Sequence, residues 1–210
     1  MIKICCTLFA FLSLSIVTIA QSTDAAAVKK AFDNYKSAIL NDKGEDAVTY
    51  VDSRTLKYYD HILEAAKHVD SSKLNSLPLI DKITILTFRH RASKEEITSM
   101  DGKGLFIYAI KNGMVGKNSV ANNTIGEVTI DKDFAKGQLV VRGNAVPMYF
   151  HFYKEQANWK LDLTSLFPIA NMTFKKMIED SGEEENEFLL NLLEMMTGTK
   201  PGPEIWEAMK

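Results

Sequence analysis

The residues best suited to chemistry are a histidine and an aspartate eleven positions apart, His151 and Asp162. His151 stands in an alternating run, Val146 to Lys154, where it shares a face with Tyr149 and Tyr153. Asp162 belongs to the next such run and opposes the Trp159, Leu161, Leu163 row. If the two runs pair so that both side chains meet, Asp162 would orient the imidazole and His151 would act as general base or acid. Tyr149, His151 and Tyr153 would then line a pocket with hydroxyl and imidazole groups. A second constellation is His61, Glu64 and His68, adjacent in projection on the polar side of a helix predicted over 54–69. Two imidazoles and a carboxylate can hold zinc. A separation of seven positions between the histidines strains that arrangement, and the expected reading is a solvated helix face with no metal.

Other motifs carry less. Arg89-His90-Arg91 is the densest basic spot but too short for a nucleic-acid or membrane patch. Gly102-Lys103-Gly104 lacks the spacing of a phosphate loop, and Asp131-Lys132-Asp133 lacks the oxygen spacing of a calcium loop. Asn122-Asn123-Thr124 and Asn171-Met172-Thr173 match the N-glycosylation acceptor pattern. No nucleophile elbow or dinucleotide-type glycine loop occurs, and no cofactor is implied.

The elements that must position these residues follow from periodicity. The chain has 210 residues, of which 46% are hydrophobic and 25% charged, with 11 Gly and 5 Pro. That composition excludes collagen-like and wholly disordered chains. A formal charge of −2 gives no global field for nucleic acid. Lys3, an uncharged run from Ile4 to Ala20, and small residues at Thr18 and Ala20 read as an export signal over 1–20. Cleavage there would remove Cys5 and Cys6, the only cysteines, and leave a secreted or periplasmic protein with no stable membrane insertion.

From Asp24, apolar residues at Val28, Ala31, Phe32, Tyr35 and Ile39 predict a helix that Asp24 can cap. Ser53 can cap the 54–69 helix, whose Leu56, Tyr59, Ile62, Leu63 and Ala66 share a face. Residues 80–90 fit a helix or a strand equally. Ser93 with Glu96 forms a capping-box pattern, and 105–110 leans helical. Between 124 and 164 the period becomes two: 125–130, 138–142, 146–154 and 159–163 predict an antiparallel meander, with bends at Gly143-Asn144 and Ala157-Asn158. Pro147 marks a bulge or an edge. Beyond Ser165, expected to cap a helix over 167–179, Ser181 with Glu184 suggests another capping box. Phe188, Leu189, Leu192, Leu193 and Met196 predict a helix stopped by Gly198, and Pro203 opens a terminal turn.

A helical half followed by "GQLVVRGNAVPMYFHFYKEQANWKLDL", Gly137 to Leu163, resembles the NTF2-like superfamily. The resemblance implies an α+β fold over 21–164. In it, N-terminal helices pack in a curved antiparallel sheet that forms a cone; residues 165–210 lie beyond the family's usual fold, and their apolar positions predict a helical extension packed on the domain. It implies a pocket but no catalytic signature, because members include isomerases, dehydratases and proteins that only bind. Two function classes follow. One is a non-catalytic protein that binds a small hydrophobic ligand or a protein partner. The other is a cofactor-independent isomerase, hydrolase or dehydratase using His151 and Asp162. The Tyr149 row on the outer sheet face predicts a homodimer.

Overall fold

The structure, a computed structural model, describes residues 9–115 and 117–209, with side chains described from Ser22 onward. The predicted export signal therefore lies outside the described side chains, and residues 1–8 lie outside the description altogether. Among the described residues, ten α-helices and four strands run in the order α1 (Phe9–Leu40), α2 (Gly44–Ala47), α3 (Ser53–His68), α4 (Ser71–Leu74), α5 (Leu79–Arg91), α6 (Lys94–Ser99), α7 (Gly102–Lys111), α8 (Asn118–Ala121), β1 (Asn123–Asp131), β2 (Phe134–Val141), β3 (Asn144–Glu155), β4 (Asn158–Asp162), α9 (Phe167–Ser181) and α10 (Glu185–Thr197). Short 3-10 turns cover Val48–Tyr50, Leu163–Leu166 and Pro203–Trp206. Among the described residues no helix is long and apolar enough to cross a membrane.

The four alternating runs form one antiparallel meander in the order β1-β2-β3-β4. Two of its hairpins turn on two residues with left-handed backbone, Arg142-Gly143 and Gln156-Ala157, which match the twist of the flanking strands. The Asp131-Lys132-Asp133 run is the β1–β2 turn, with Lys132 at φ 54°. Pro147 sits where the β2–β3 register shifts between Gln138 and Val140, and β4 is too short to reach it. The missing N–H therefore removes no ladder bond from either neighbour.

The sheet corrects the expected cone. It is flat and open, not curled or closed, and its edge strands β1 and β4 do not meet. The resemblance to the NTF2-like superfamily is thereby overturned, although the α+β class stands. Alternation reports which side chains share a face; it carries no information on curvature. Here one helix, α1, covers the apolar face. Val28, Phe32, Tyr35 and Ile39 are buried against Phe152, Trp159 and Leu161. Asp24 lies inside α1 and caps nothing. Its carboxylate accepts hydrogen bonds from the Trp159 indole (3.0 Å) and the Lys154 ammonium (3.0 Å), fixing the helix across β3 and β4. These two donors hold the Asp24 carboxyl below its usual range. The β4 edge is closed by Val51, which bridges Leu161, and by the Asp52 N–H, which donates to the Leu161 carbonyl.

The remaining helices bury a second core among themselves. Ile62, Leu63 and Ala66 of α3, Ile85, Leu86 and Phe88 of α5, Leu105 and Ala109 of α7, and Leu189 and Leu193 of α10 pack together with Ile205. The C-terminal segment is thus part of a core. Helix starts are set by short polar side chains: Asp52 caps α3 in place of the expected Ser53, Asp101 caps α7, and Ser93 with Glu96 forms the full capping box of α6. The expected box at Ser181 and Glu184 does not form. Ser181 is the last residue of α9, its hydroxyl donates to the Ile178 carbonyl, and Gly182 at φ 71° turns the chain into α10.

Two buried cations hold this half together from α5. The Arg89 guanidinium donates to the carbonyls of Ala65 (3.1 Å), Ala66 (3.1 Å) and Val69 at the end of α3, and to that of Ile205 (3.2 Å) in the C-terminal turn. It serves as the C-terminal cap of α3. Seven residues earlier, Lys82 is 1% exposed and pairs with Glu185 at the start of α10. Replacing Arg89 with Met should cost about 3 kcal/mol, the scale of leaving buried carbonyls without donors. Arg89→Lys should recover less than half, because one ammonium cannot reach both α3 and Ile205. Urea unfolding of the two variants measures this; a loss below about 1 kcal/mol for Arg89→Met would show that water takes over the guanidinium's role.

Candidate functional site

His151 and Asp162 are direct cross-strand partners of β3 and β4. Residues opposite one another project to the same face, so the register brings the predicted pair together. That face is the outer one. Phe150 and Phe152 turn inward to the first core, whereas Tyr149, His151 and Tyr153 turn away from it. Tyr149 is 45% exposed. The Tyr153 ring lies beneath the Arg54 guanidinium of α3, 3.5 Å from its centroid. Arg54 in turn pairs with the buried Asp52 at 3.0 Å. The expected cone pocket is replaced by an open surface, with Phe134 of β2 edge-on to the His151 ring at 5.2 Å.

Asp162 is nearly buried and already employed. Its Oδ1 accepts from the Thr164 backbone N–H (2.9 Å) and hydroxyl (2.6 Å), capping the Leu163–Leu166 turn. Ser165, expected to cap the next helix, instead donates its hydroxyl to the Asp162 carbonyl (2.6 Å) and accepts from the His151 N–H (3.3 Å). The carboxylate therefore holds a turn that supports His151 from behind. Burial pushes the imidazole below its ordinary value; Asp162 opposes that shift, and Lys136, opposite His151 on β2, reinforces it.

The other predicted constellations disperse. Glu64 approaches His68 at 3.6 Å and Lys67 at 3.3 Å, while His61 lies toward Asp81. Among the described residues no group of three such side chains converges on a metal position. The Arg89-His90-Arg91 run points three ways: Arg89 into the core, His90 Nε2 to Thr197 (3.1 Å) and Thr199 (3.2 Å), and Arg91 to the Asn112 carbonyl. Gly102 is a packing contact. Its N–H donates to Asp60 at 2.9 Å, and a Cβ there would fall 2.2 Å from that carboxylate oxygen. Asn171 of one acceptor pattern receives the Ile80 N–H at 2.9 Å and so caps the first turn of α5.

The site that sequence reasoning missed is an apolar cleft of about 270 Å³ among the helices. Its floor is α5, through Ile80, Ile83, Thr84, Thr87 and Phe88, and its sides are Tyr59, Ala109 and Val115. Phe174 of α9 and Met196 of α10 form the rim, and Met196 is 54% exposed. Both threonine hydroxyls donate back to α5 carbonyls, Thr84 to Ile80 (2.6 Å) and Thr87 to Ile83 (2.7 Å), so each turns its methyl group outward from the helix hydroxyl bond. Burial pushes the Tyr59 phenol up to about 12, and its ring is edge-on to Phe106 at 5.0 Å. The cleft thus offers shape and apolar surface with few polar groups. No sequence signal locates the rim: Met196 continues the apolar face of α10 in the sequence, and only the structure shows it exposed.

Comparison with protein-family models, with curated proteins and with solved structures finds no match.

His151 should titrate below 6.5 by NMR. Because the folded state prefers the neutral ring, its contribution to stability is complete above 6.5 and is lost as pH falls through the lower, folded midpoint. Lys136→Gln should raise the midpoint and Asp162→Asn should lower it. A wild-type midpoint at or above 6.5 would contradict this account.

Proposed function

We propose that this is an exported, non-catalytic protein that holds a small hydrophobic molecule in the apolar cleft between α5 and the α9–α10 hairpin. The observation that carries the reading is the cleft itself: a preformed opening of about 270 Å³ walled by Ile80, Ile83, Phe88, Val115 and Phe174, with no charged side chain in its lining. A buried apolar cavity of about 150 Å³ accepts benzene, so this one suits a molecule the size of two fused rings. Export is supported by Lys3, the uncharged run to Ala20 and the small residues before Gln21.

A cofactor-independent enzyme is the second reading, favoured by the His151–Asp162 register. Against it stands the work Asp162 already does for Thr164. A homodimer through the outer sheet face is also part of the proposal, supported by the exposed Tyr149 ring. Arg54 already covers Tyr153, so the apolar area open to a second copy centres on Tyr149.

Naphthalene, titrated by calorimetry, should bind one per chain and raise the unfolding temperature by mass action. Thr87→Phe, which fills the cleft from the half-exposed side of α5, should abolish that binding while the protein stays folded. No heat and no thermal shift at saturating naphthalene would reject the ligand reading. For the dimer, Tyr149→Lys should convert a sedimenting dimer to a monomer; a wild-type monomer at tens of micromolar would reject it.

A further inference from the structure

A second cleft, of about 470 Å³, opens between α4, the first turns of α10 and the C-terminal segment. Its lining is mixed: Leu190 and Trp206 supply apolar surface, and Asn75, Asn186 and Asn191 supply carboxamides. Trp206 lies half-buried at one side, packed against the second core. The turn that carries it is fixed, because Ile205 is buried and its carbonyl receives the Arg89 guanidinium at 3.2 Å. The indole is therefore a rigid platform.

Around it stand carboxamides whose orientation is set by charged neighbours. The Asn75 Oδ1 accepts from the buried Lys82 ammonium at 3.4 Å, so its Nδ2 hydrogens are the group left to offer. Asn191 is turned the other way. Its Nδ2 donates to Glu183 at 3.0 Å, which leaves Oδ1 as an acceptor. Asn186 and the Ser71 hydroxyl extend the same lining. Glu187 and Lys200 contribute one charge of each sign, so the lining is neutral overall.

A ligand that fits must be neutral, must donate and accept at neighbouring atoms, and must have one apolar face for a single indole. An apolar molecule would strip water from the carboxamides and leave them unpaired, at a cost. An anion would meet Glu187 with no surplus of positive charge. A nucleobase could stack on the indole as well, so adenosine joins the titration below, and saturable binding of adenosine with none of any sugar would overturn the proposal. A pyranose meets every condition: each hydroxyl both donates and accepts, and its C–H face is apolar.

We propose that this cleft is a carbohydrate-binding site that takes a neutral sugar with its C–H face on Trp206 and its hydroxyls on Asn75 and Asn191. The site stands apart from the apolar cleft and does not rest on the function proposed above.

The chain has two tryptophans, and Trp159, 4% exposed on β4 with its indole N–H donating to Asp24, lines a different cleft, so its signal reports any binding away from Trp206. The full chain, labelled with ¹⁵N, is titrated with glucose, galactose, mannose, N-acetylglucosamine, cellobiose and chitobiose, and with adenosine, and both indole N–H signals are followed by NMR. At least one of these sugars should move the Trp206 signal saturably and leave that of Trp159 in place. Asn191→Leu and, separately, Asn75→Leu should each weaken that sugar by about tenfold. Asn191 is exposed, and an unchanged thermal midpoint confirms that its variant folds; Asn75→Leu also removes an acceptor of Lys82, so its midpoint should fall and its titration is run well below that midpoint. Repeating the titration with naphthalene bound should give the same sugar affinity. The proposal is overturned if no sugar in the panel gives a saturable Trp206 shift, or if the shift is undiminished in both variants.

Discussion

A single buried guanidinium organises the helical half of this protein. Arg89 is only 6% exposed, and each of its partners is a main-chain carbonyl. Helix ends leave carbonyls without donors, and burying them is costly unless something supplies N–H groups. Arg89 supplies them for the end of α3 and for the C-terminal turn at once. Burial lowers its pKa, yet the guanidinium stays charged, because no shift of ordinary size deprotonates arginine. The cost of desolvating the cation is offset only while both ends are in place. The consequence is coupling: α3, α5 and the Pro203–Trp206 turn share one polar group inside an apolar core.

Lys82 repeats that logic two turns earlier on α5. Positions seven apart lie near one another on a helix, so both cations belong to the same side of α5, with Ile85 and Leu86 between them. Lys82 reaches Glu185 and Asn75, which ties α5 to the start of α10 and the end of α4. The helix is therefore buried on most of its circumference. This explains why residues 80–90 defied assignment from periodicity: a helix enclosed by neighbours has no polar stripe to set its phase.

The legible parts of the sequence were those with one buried face. The α1 face from Val28 to Ile39 emerged because the sheet and the short helices beside it cover one side of α1 and leave the other to solvent. The strands emerged because β3 alternates Phe150 and Phe152 with Tyr149, His151 and Tyr153. The turns were misplaced by one residue because Arg142, Gln156 and Ala157 take left-handed backbone without being glycine or asparagine. Caps were legible in kind but shifted in place, as at Asp52 beside Ser53, since both side chains accept hydrogen bonds well. Curvature was not legible at all. The cone expected from the resemblance needs a concave face, and alternation is identical in a flat sheet and a curled one. The His151–Asp162 pairing depended on register, which the two-residue turn at Gln156-Ala157 fixes.

The clefts were hidden for a different reason: each is made by segments distant in sequence. The apolar one joins Tyr59, α5, Ala109 and the rim of α9 and α10. No local pattern announces such a convergence. What the fold does show is where access must lie. Helix α9 has no fully buried residue along its fifteen positions, and Met172 and Met177 lie exposed upon it. The floor, by contrast, is α5, locked at both ends by Lys82 and Arg89. Local opening draws on the parts with fewest buried contacts, so the Phe174 side of the cleft yields before the α5 side. Methionine at the rim suits that role, since its unbranched chain can repack around an incoming surface without a fixed geometry. A rigid wall held by buried ions and a loose wall held by shallow apolar contacts together allow a cleft to keep its shape and still admit a ligand.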